Sequence, residues 1–187
     1  MARHFFWVIA LGAPASIGCS GPVGSSPAVG LTINISATGV GCAGSGVATN
    51  DDLGNPPPDA STGHSGKRIY DGDSGVSVKC SVKGAGPWSI STRVSSNSPN
   101  LTFLIDGGTI GTDGTGTANM SLSTAAINDS LQSPPGSPCT LKAVAANGGI
   151  VVRSGAVWAQ YTCPDMRYPP SGSCFVAGEF ILENCDQ

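Results

Sequence analysis

Apolar and polar residues alternate along several short stretches of the chain, a period of two that is typical of β-strands with one buried face. In the clearest stretch, from Val76 to Val82, three valines and Cys80 alternate with two serines and a lysine. The stretch 87–94 repeats the period. We therefore predict two strands here, with Cys80 facing the core as a buried half-cystine.

Six further segments show strand patterns and are separated by Gly, Asn and Ser; they are 31–36, 101–106, 117–123, 140–146, 149–163 and 175–184. Strands at this spacing indicate a sandwich or a barrel. We expect an all-β fold, an antiparallel and disulfide-stabilised β-sandwich of the immunoglobulin-like or jelly-roll-like type. The pair Asp106 and Gly107 predicts a turn, and Gly155 predicts a bulge or a turn. Only 124–132 is compatible with a turn or two of helix.

The N-terminus has the pattern of a targeting segment. Arg3 precedes nine apolar residues at 5–13. Nine residues are too few to cross a bilayer, which takes about 20, but they fit the apolar core of a secretory signal. Cleavage after Ala15 and cleavage before Cys19 both fit the pattern. We predict an exported chain whose signal peptide spans residues 1–18.

The cysteine count bears on Cys19. Setting Cys19 aside leaves six of the seven cysteines, enough for three disulfides in an oxidising compartment. The six are Cys42, Cys80, Cys139, Cys163, Cys174 and Cys185. Six cysteines allow 15 pairings, and from their spacing we predict that Cys139 pairs with Cys163 and Cys174 with Cys185. That leaves Cys42 to pair with Cys80.

The residues before Cys19, "SIGC" at 16–19, resemble the lipobox of bacterial lipoproteins in Gly18 and Cys19, and depart from it at Ser16. This resemblance implies that a lipid on Cys19 attaches the chain to a membrane. Because Ser20 rather than aspartate follows, it also implies the outer membrane. The alternative is an ordinary secretory cut, which would leave Cys19 as a free or intermolecular thiol in a secreted or periplasmic soluble protein.

The rest of the chain divides into a tether and one domain. Residues 19–30 have the composition of a flexible, lipid-anchored tether, and 31–187 are predicted to form a single β-sandwich domain. Within it, 43–66 is expected to be a disordered insert, since it is rich in Gly, Pro and polar residues. The net charge is −3 and only Lys67 and Arg68 form an adjacent basic pair, so we expect no nucleic-acid partner.

Four short motifs together resemble exported lipoproteins that are abundant in myxobacterial genomes. They are "SVKCSV" at 77–82, "PC" at 138–139, "YTCP" at 161–164 and "GEFILENC" at 178–185. The resemblance covers roughly residues 66–187. It implies export and a disulfide-bonded, β-rich body, and it carries no catalytic residue across.

Two fragments invite an enzymatic interpretation. "GDSG" at 72–75 resembles the nucleophile motif of chymotrypsin-like proteases, with Ser74 as nucleophile. That family needs a histidine far upstream, whereas His64 is only ten residues away; we predict an ordinary loop. "GVGCAG" at 39–44 matches a dinucleotide-binding glycine pattern, but no helix is predicted after it.

The acidic residues also suggest no reaction. Glu179 and Glu183 would share a strand face about 13 Å apart, wider than the roughly 5–9.5 Å of glycosidase pairs, and we expect both to face solvent. Asp71 and Asp73 are predicted to be turn residues rather than calcium ligands. We therefore expect no catalytic residues, no metal and no cofactor.

These observations favour a lipid-anchored cell-envelope protein with a structural or binding role and without catalysis. Its partners would be the membrane, through Cys19, and an envelope protein or polysaccharide. The alternative is an envelope carbohydrate-binding domain or a hydrolase with a loop-built site. Five aromatic residues would then form the stacking surface: Tyr70, Trp88, Trp158, Tyr161 and Tyr168. Exposed coplanar rings would favour sugar binding, and buried rings a structural role.

Overall fold

The computed structural model describes residues 25–36, 42, 49–50, 52–54, 66–125, 127–146, 149–150, 152–168 and 172–187. The predicted signal peptide, Cys19 and His64 lie outside these residues. So do residues 19–24 of the tether, most of the predicted insert, and the glycine pattern at 39–44 except for Cys42.

The described residues form fourteen strands and one 3-10 turn, at Asp73–Gly75. The strands are β1 (Ala28–Ser36), β2 (Thr49–Asn50), β3 (Ile69–Tyr70), β4 (Val76–Lys83), β5 (Trp88–Asn97), β6 (Asn100–Ile110), β7 (Thr115–Thr124), β8 (Ile127–Gln132), β9 (Cys139–Ala143), β10 (Ala145–Ala146), β11 (Gly149–Ile150), β12 (Val152–Arg153), β13 (Ala156–Tyr168) and β14 (Gly172–Glu183). The predicted all-β, antiparallel and disulfide-stabilised fold is confirmed. β1 begins at Ala28, three residues before the predicted start of the domain.

Twelve of the strands belong to one sheet, whose main path runs β2-β1-β14-β13-β8-β7-β6-β5-β4. β9 pairs with both β13 and β7, β3 pairs with β1, and β12 pairs with β13. β10 and β11 form a separate pair. In β4 and β5 the side chains alternate between buried and exposed, as the period of two predicts.

The sheet folds over so that its two halves pack face to face. Phe103 on β6 contacts Tyr161 on β13 and Phe180 on β14, with ring centroids 5.7 and 5.9 Å apart. Tyr161 and Phe180 lie 6.2 Å apart. All three rings are buried, so they join strands far apart in the sheet order into one hydrophobic core.

The free edge of β4 meets the end of the chain. The backbone N–H of Val82 donates to the carbonyl of Asp186 at 2.9 Å, and the N–H of Asp186 donates to the carbonyl of Cys80 at 3.0 Å. A disulfide joins Cys80 to Cys185 at the same place. These contacts cover an edge that would otherwise present unpaired backbone groups.

All six predicted half-cystines are disulfide-bonded, in pairs Cys42–Cys174, Cys80–Cys185 and Cys139–Cys163. Only the last pair matches the predicted pairing. Cys174 lies near the start of β14 and Cys185 just after its end, so an extended chain holds them about 36 Å apart. Proximity in sequence was therefore a wrong guide to Cys174 and Cys185, and Cys42 does not pair with Cys80.

Two local predictions were also wrong. The strand does not turn at Asp106 and Gly107: β6 continues to Ile110, and its register against β7 shifts between Asp106 and Thr109. Gly107 has φ of 66°, so the glycine supplies the positive φ of a bulge rather than of a hairpin turn. The segment expected to form at most a helical turn contains β8. Gly155, with φ of 82°, does form the turn between β12 and β13.

The disulfides should differ in their contribution to stability according to the loops they close. Sequence separations are 105 residues for Cys80–Cys185 and 24 for Cys139–Cys163. The chain-entropy model then predicts that replacing the first pair by serines lowers the free energy of unfolding by about 1.3 kcal/mol more than replacing the second. Urea unfolding without reductant, which leaves the other two disulfides closed, measures the difference; equal losses would contradict the entropic account.

The buried Tyr161 hydroxyl predicts a loss of stability at alkaline pH. It donates to the carbonyl of Thr32 at 3.0 Å, and burial, aided by the charge of Asp52, raises the pKa of its phenol far above the usual range. The unfolded chain ionises this phenol near pH 10, so its contribution is complete below that pH and declines above it. Tyr161→Phe should flatten the alkaline fall in unfolding free energy. Tyr70→Phe, at an exposed ring, is the control and should retain that fall.

Candidate functional site

A second buried layer lies outside the hydrophobic core. Its members are on the outer face of β1, β14 and β13, and only 0–5 % of each residue is exposed; they are Ala28, Trp158, Glu179 and Ile181. We call them the outer layer. The opposite face of the same strands carries Val157, Tyr161 and Phe180 in the core. At these positions the strands are therefore buried on both sides, and a carboxylate is among the buried groups.

The pairing of β14 with β13 and β1 determines which residues lie beside the carboxylate of Glu179. Trp158 on β13 lies opposite Ile181 on β14. Glu179 on β14 lies between Gln160 on β13 and Thr32 on β1. Side chains directly opposite each other on one face are in contact range. The sequence separations of 21 and 147 residues from Glu179 to Trp158 and Thr32 give no hint of this arrangement.

Hydrogen bonds hold Glu179 in place. The indole Nε1–H of Trp158 donates to Oε1 of Glu179. The backbone N–H of Glu179 donates to Oγ1 of Thr32 at 3.0 Å. A buried carboxylate is costly unless it accepts such bonds. The indole of Trp158 therefore helps to offset the desolvation of Glu179.

Glu179 was expected to face solvent, and this expectation is wrong. The period of a strand tells which residues share a face but not whether a further layer covers that face. Glu183 is nearer to expectation: 40 % of its side chain is exposed, and its Oε2 accepts a bond of 2.9 Å from Nε of Arg68. Thus one carboxylate is bonded to an indole and the other to a guanidinium.

Polar side chains border the outer layer. Gln160 is exposed beside the buried carboxylate, so an amide with donor and acceptor atoms lies at the edge of the outer layer. Arg68 and Glu183 add a pair of opposite charges on the same side of β14. Polar groups that are exposed or partly exposed thus lie beside the covered outer layer.

The predicted turn residues have the roles expected of them. Oδ1 of Asp71 accepts from the N–H of Val78 at 2.7 Å, and Oδ2 of Asp73 accepts from the N–H of Tyr70 at 3.0 Å. Ser74 lies in the 3-10 turn with φ of 48°. Within the described ranges, no three His, Cys, Asp or Glu residues converge as a metal site would require.

The aromatic candidates are mostly packed inside the protein. Trp158 and Tyr161 are buried, and Trp88 is partly buried against the core. Tyr70 is 46 % exposed, and the side chain of Tyr168 lies outside the described residues. The described rings thus present no exposed coplanar pair, which favours a structural role for them over sugar stacking.

Comparisons with protein-family models, with curated proteins and with solved structures found no match. The geometry of the chain is therefore the basis for a functional proposal. In the described part of the chain, no helix combines the length and the apolar character needed to cross a membrane.

The bond between Trp158 and Glu179 predicts strong coupling between the two side chains. Trp158→Phe removes the indole N–H, which donates to the buried carboxylate of Glu179, and should lower the unfolding free energy by about 1–3 kcal/mol. In a Glu179→Leu background, Trp158→Phe should lower the unfolding free energy by less, because no carboxylate is then left without a donor. Urea unfolding of the two single variants and the double variant measures the coupling.

Glu183→Gln provides the matched control on the same strand. It removes a carboxylate from a partly exposed ion pair, and we expect it to cost less than about 1 kcal/mol. Additive effects of Trp158→Phe and Glu179→Leu would show that the bond does not stabilise the outer layer.

Proposed function

We propose that this chain is an exported, disulfide-locked module of the cell envelope, anchored to the outer membrane by a lipid on Cys19 and serving a structural or binding role. The observation that carries the proposal is the set of three disulfides. Such bonds form and persist in oxidising compartments, and they are consistent with an extracellular or envelope location.

The pairing of the cysteines supports a separate role for Cys19. The three disulfides use all six of the other cysteines, so none of them is left to pair with Cys19 in the folded domain. Residues 20–27 separate Cys19 from the start of β1 at Ala28. Eight residues span at most roughly 29 Å, which is enough to hold the domain just above a membrane surface.

The polar groups beside the outer layer support a binding role in particular. Gln160 and the partly exposed pair Arg68–Glu183 place hydrogen-bonding and charged groups at the edge of that layer, on one side of the molecule. An envelope protein or a polysaccharide is the partner that an anchored module of this kind would meet.

Carbohydrate binding is the second candidate, and a row of hydroxyl groups favours it. Ser77, Ser95, Thr102 and Ser123 lie directly opposite one another across β4, β5, β6 and β7. They are on the solvent side of the sheet and are exposed or partly exposed. Hydroxyl groups both donate and accept hydrogen bonds, as the hydroxyl groups of a sugar require.

Intact mass of the mature protein from a Gram-negative host tests the anchor. We expect a chain that begins at Cys19, carries added acyl mass and gains six hydrogens on reduction of its three disulfides. Cys19→Ser should abolish the acyl mass and leave the protein in the soluble fraction. An unmodified chain that begins at Ser16 would refute the anchor and make Cys19 a free or cross-linking thiol.

A further inference from the structure

A cleft opens on the solvent side of β4, β5 and β6, away from the outer layer. Its volume is about 300 Å3. The polar side chains in its lining that carry the argument are Lys79, Ser81, Ser91, Arg93, Asp106 and Asp186. The cleft therefore combines two cations, two carboxylates and two hydroxyl groups within one small volume.

The two cations are placed in direct opposition. Lys79 on β4 pairs in register with Arg93 on β5, and both are exposed. Like charges directly opposite each other across two strands are destabilising. Neither joins an ion pair: the salt bridge found among the described residues is Arg68–Glu183. An anionic group between Lys79 and Arg93 would relieve their repulsion, and a guanidinium can bind a carboxylate or phosphate through two bonds.

Small hydroxyl side chains lie beside these cations. Ser81 and Ser91 also pair in register, two residues along each strand from Lys79 and Arg93. A spacing of two residues puts them on the same face of the sheet. Because serine side chains are short, the surface at Ser81 and Ser91 lies deeper than the surface at the longer side chains of Lys79 and Arg93.

Two carboxylates complete the cleft. Asp106 is at the bulge of β6, where the register with β5 shifts between Ile90 and Thr92. Asp186 is fixed next to β4 by its two backbone hydrogen bonds and the neighbouring Cys80–Cys185 disulfide. Carboxylates accept hydrogen bonds from hydroxyl donors but repel simple anions. The lining thus fits a ligand that has both a negative group and hydroxyl groups.

We propose that this cleft binds an acidic sugar unit of a polysaccharide, with the negative group of the sugar between Lys79 and Arg93 and its hydroxyl groups donating to Asp106 and Asp186. Ser81 and Ser91 exchange further hydrogen bonds with the ring. The proposal rests on the binding role proposed above and specifies its ligand class. It is independent of the lipid anchor, because the cleft is built from the folded domain alone.

Titration of the full mature chain carrying Cys19→Ser tests the proposal. The probes are tetragalacturonate, a hyaluronan hexasaccharide and a heparin hexasaccharide, with cellotetraose as a neutral sugar, and the readout is amide chemical shift changes and Kd at low salt. At least one acidic oligosaccharide should bind and shift the amides of β4 and β5, and cellotetraose should bind at least tenfold more weakly. Binding of none of the three acidic probes would overturn the proposal.

Substitutions then separate the cleft from general charge attraction. Lys79→Gln with Arg93→Gln should weaken binding at least tenfold. Lys142→Gln with Arg167→Gln removes the same net charge from exposed positions elsewhere on the sheet, and should change Kd less than twofold. Equal losses in the two double variants would show attraction by net charge alone.

Asp106→Asn distinguishes a sugar from a bare anion. It should weaken binding of the acidic oligosaccharide, because a charged acceptor for the sugar hydroxyls is replaced by a weaker, neutral one, and should leave binding of inorganic phosphate equal or stronger, because a repelling charge is removed. If Asp106→Asn strengthens both, or if polyglutamate binds as tightly as the oligosaccharide, the cleft is a site for simple or peptide anions and the proposal is wrong. Thermal unfolding of each variant checks that the fold is intact.

Discussion

The Cys80–Cys185 bond joins the edge strand β4 to the residues that follow β14, and this junction links the two ends of the described sheet across its core. β4 is one end of the sheet path, whereas β14 lies near the other end. Their connection keeps the sheet folded over its core and gives the edge of β4 hydrogen-bonding partners. It also fixes Asp186 at the side of the cleft. One covalent constraint therefore supports both the packing of the core and the geometry of a surface site.

The two halves of the sheet have different surfaces because their outer sides are differently covered. On β13 and β14 the outer side is buried around Trp158, Glu179 and Ile181, and the carboxylate there needs the indole of Trp158 as a donor. On β4 and β5 the outer side is solvated, and Lys79 can lie opposite Arg93 because water screens their repulsion. A buried side restricts which residues are tolerated, whereas a solvated side leaves charged groups available for a ligand.

The sequence was sufficient for features that depend on local periodicity. Alternation predicted β4 and β5 and the burial of Cys80 within them. The pair Asp106–Gly107 was wrongly predicted to be a turn, because a turn and a bulge both favour a glycine that can take a positive φ. Partners distant along the chain, such as Cys174 for Cys42 or Trp158 for Glu179, depend on strand order. Neither the spacing of the cysteines nor the alternation of apolar residues reveals the strand order. For this reason the pairing of Cys42, Cys80, Cys174 and Cys185 and the burial of Glu179 were not predicted.

If the chain is exported, as proposed above, the disulfide pairing constrains the order in which its bonds can form. An exported chain emerges from its N-terminus, so Cys42 and Cys80 reach the oxidising compartment long before their partners Cys174 and Cys185. Oxidation in order of emergence would join Cys42 to Cys80 and trap both in a non-native bond. The native set then requires either that these two thiols stay reduced until Cys174 and Cys185 arrive or that thiol–disulfide exchange corrects the early bond. In such a chain, native pairing of the first two cysteines of the domain would wait for residues more than 100 positions further along.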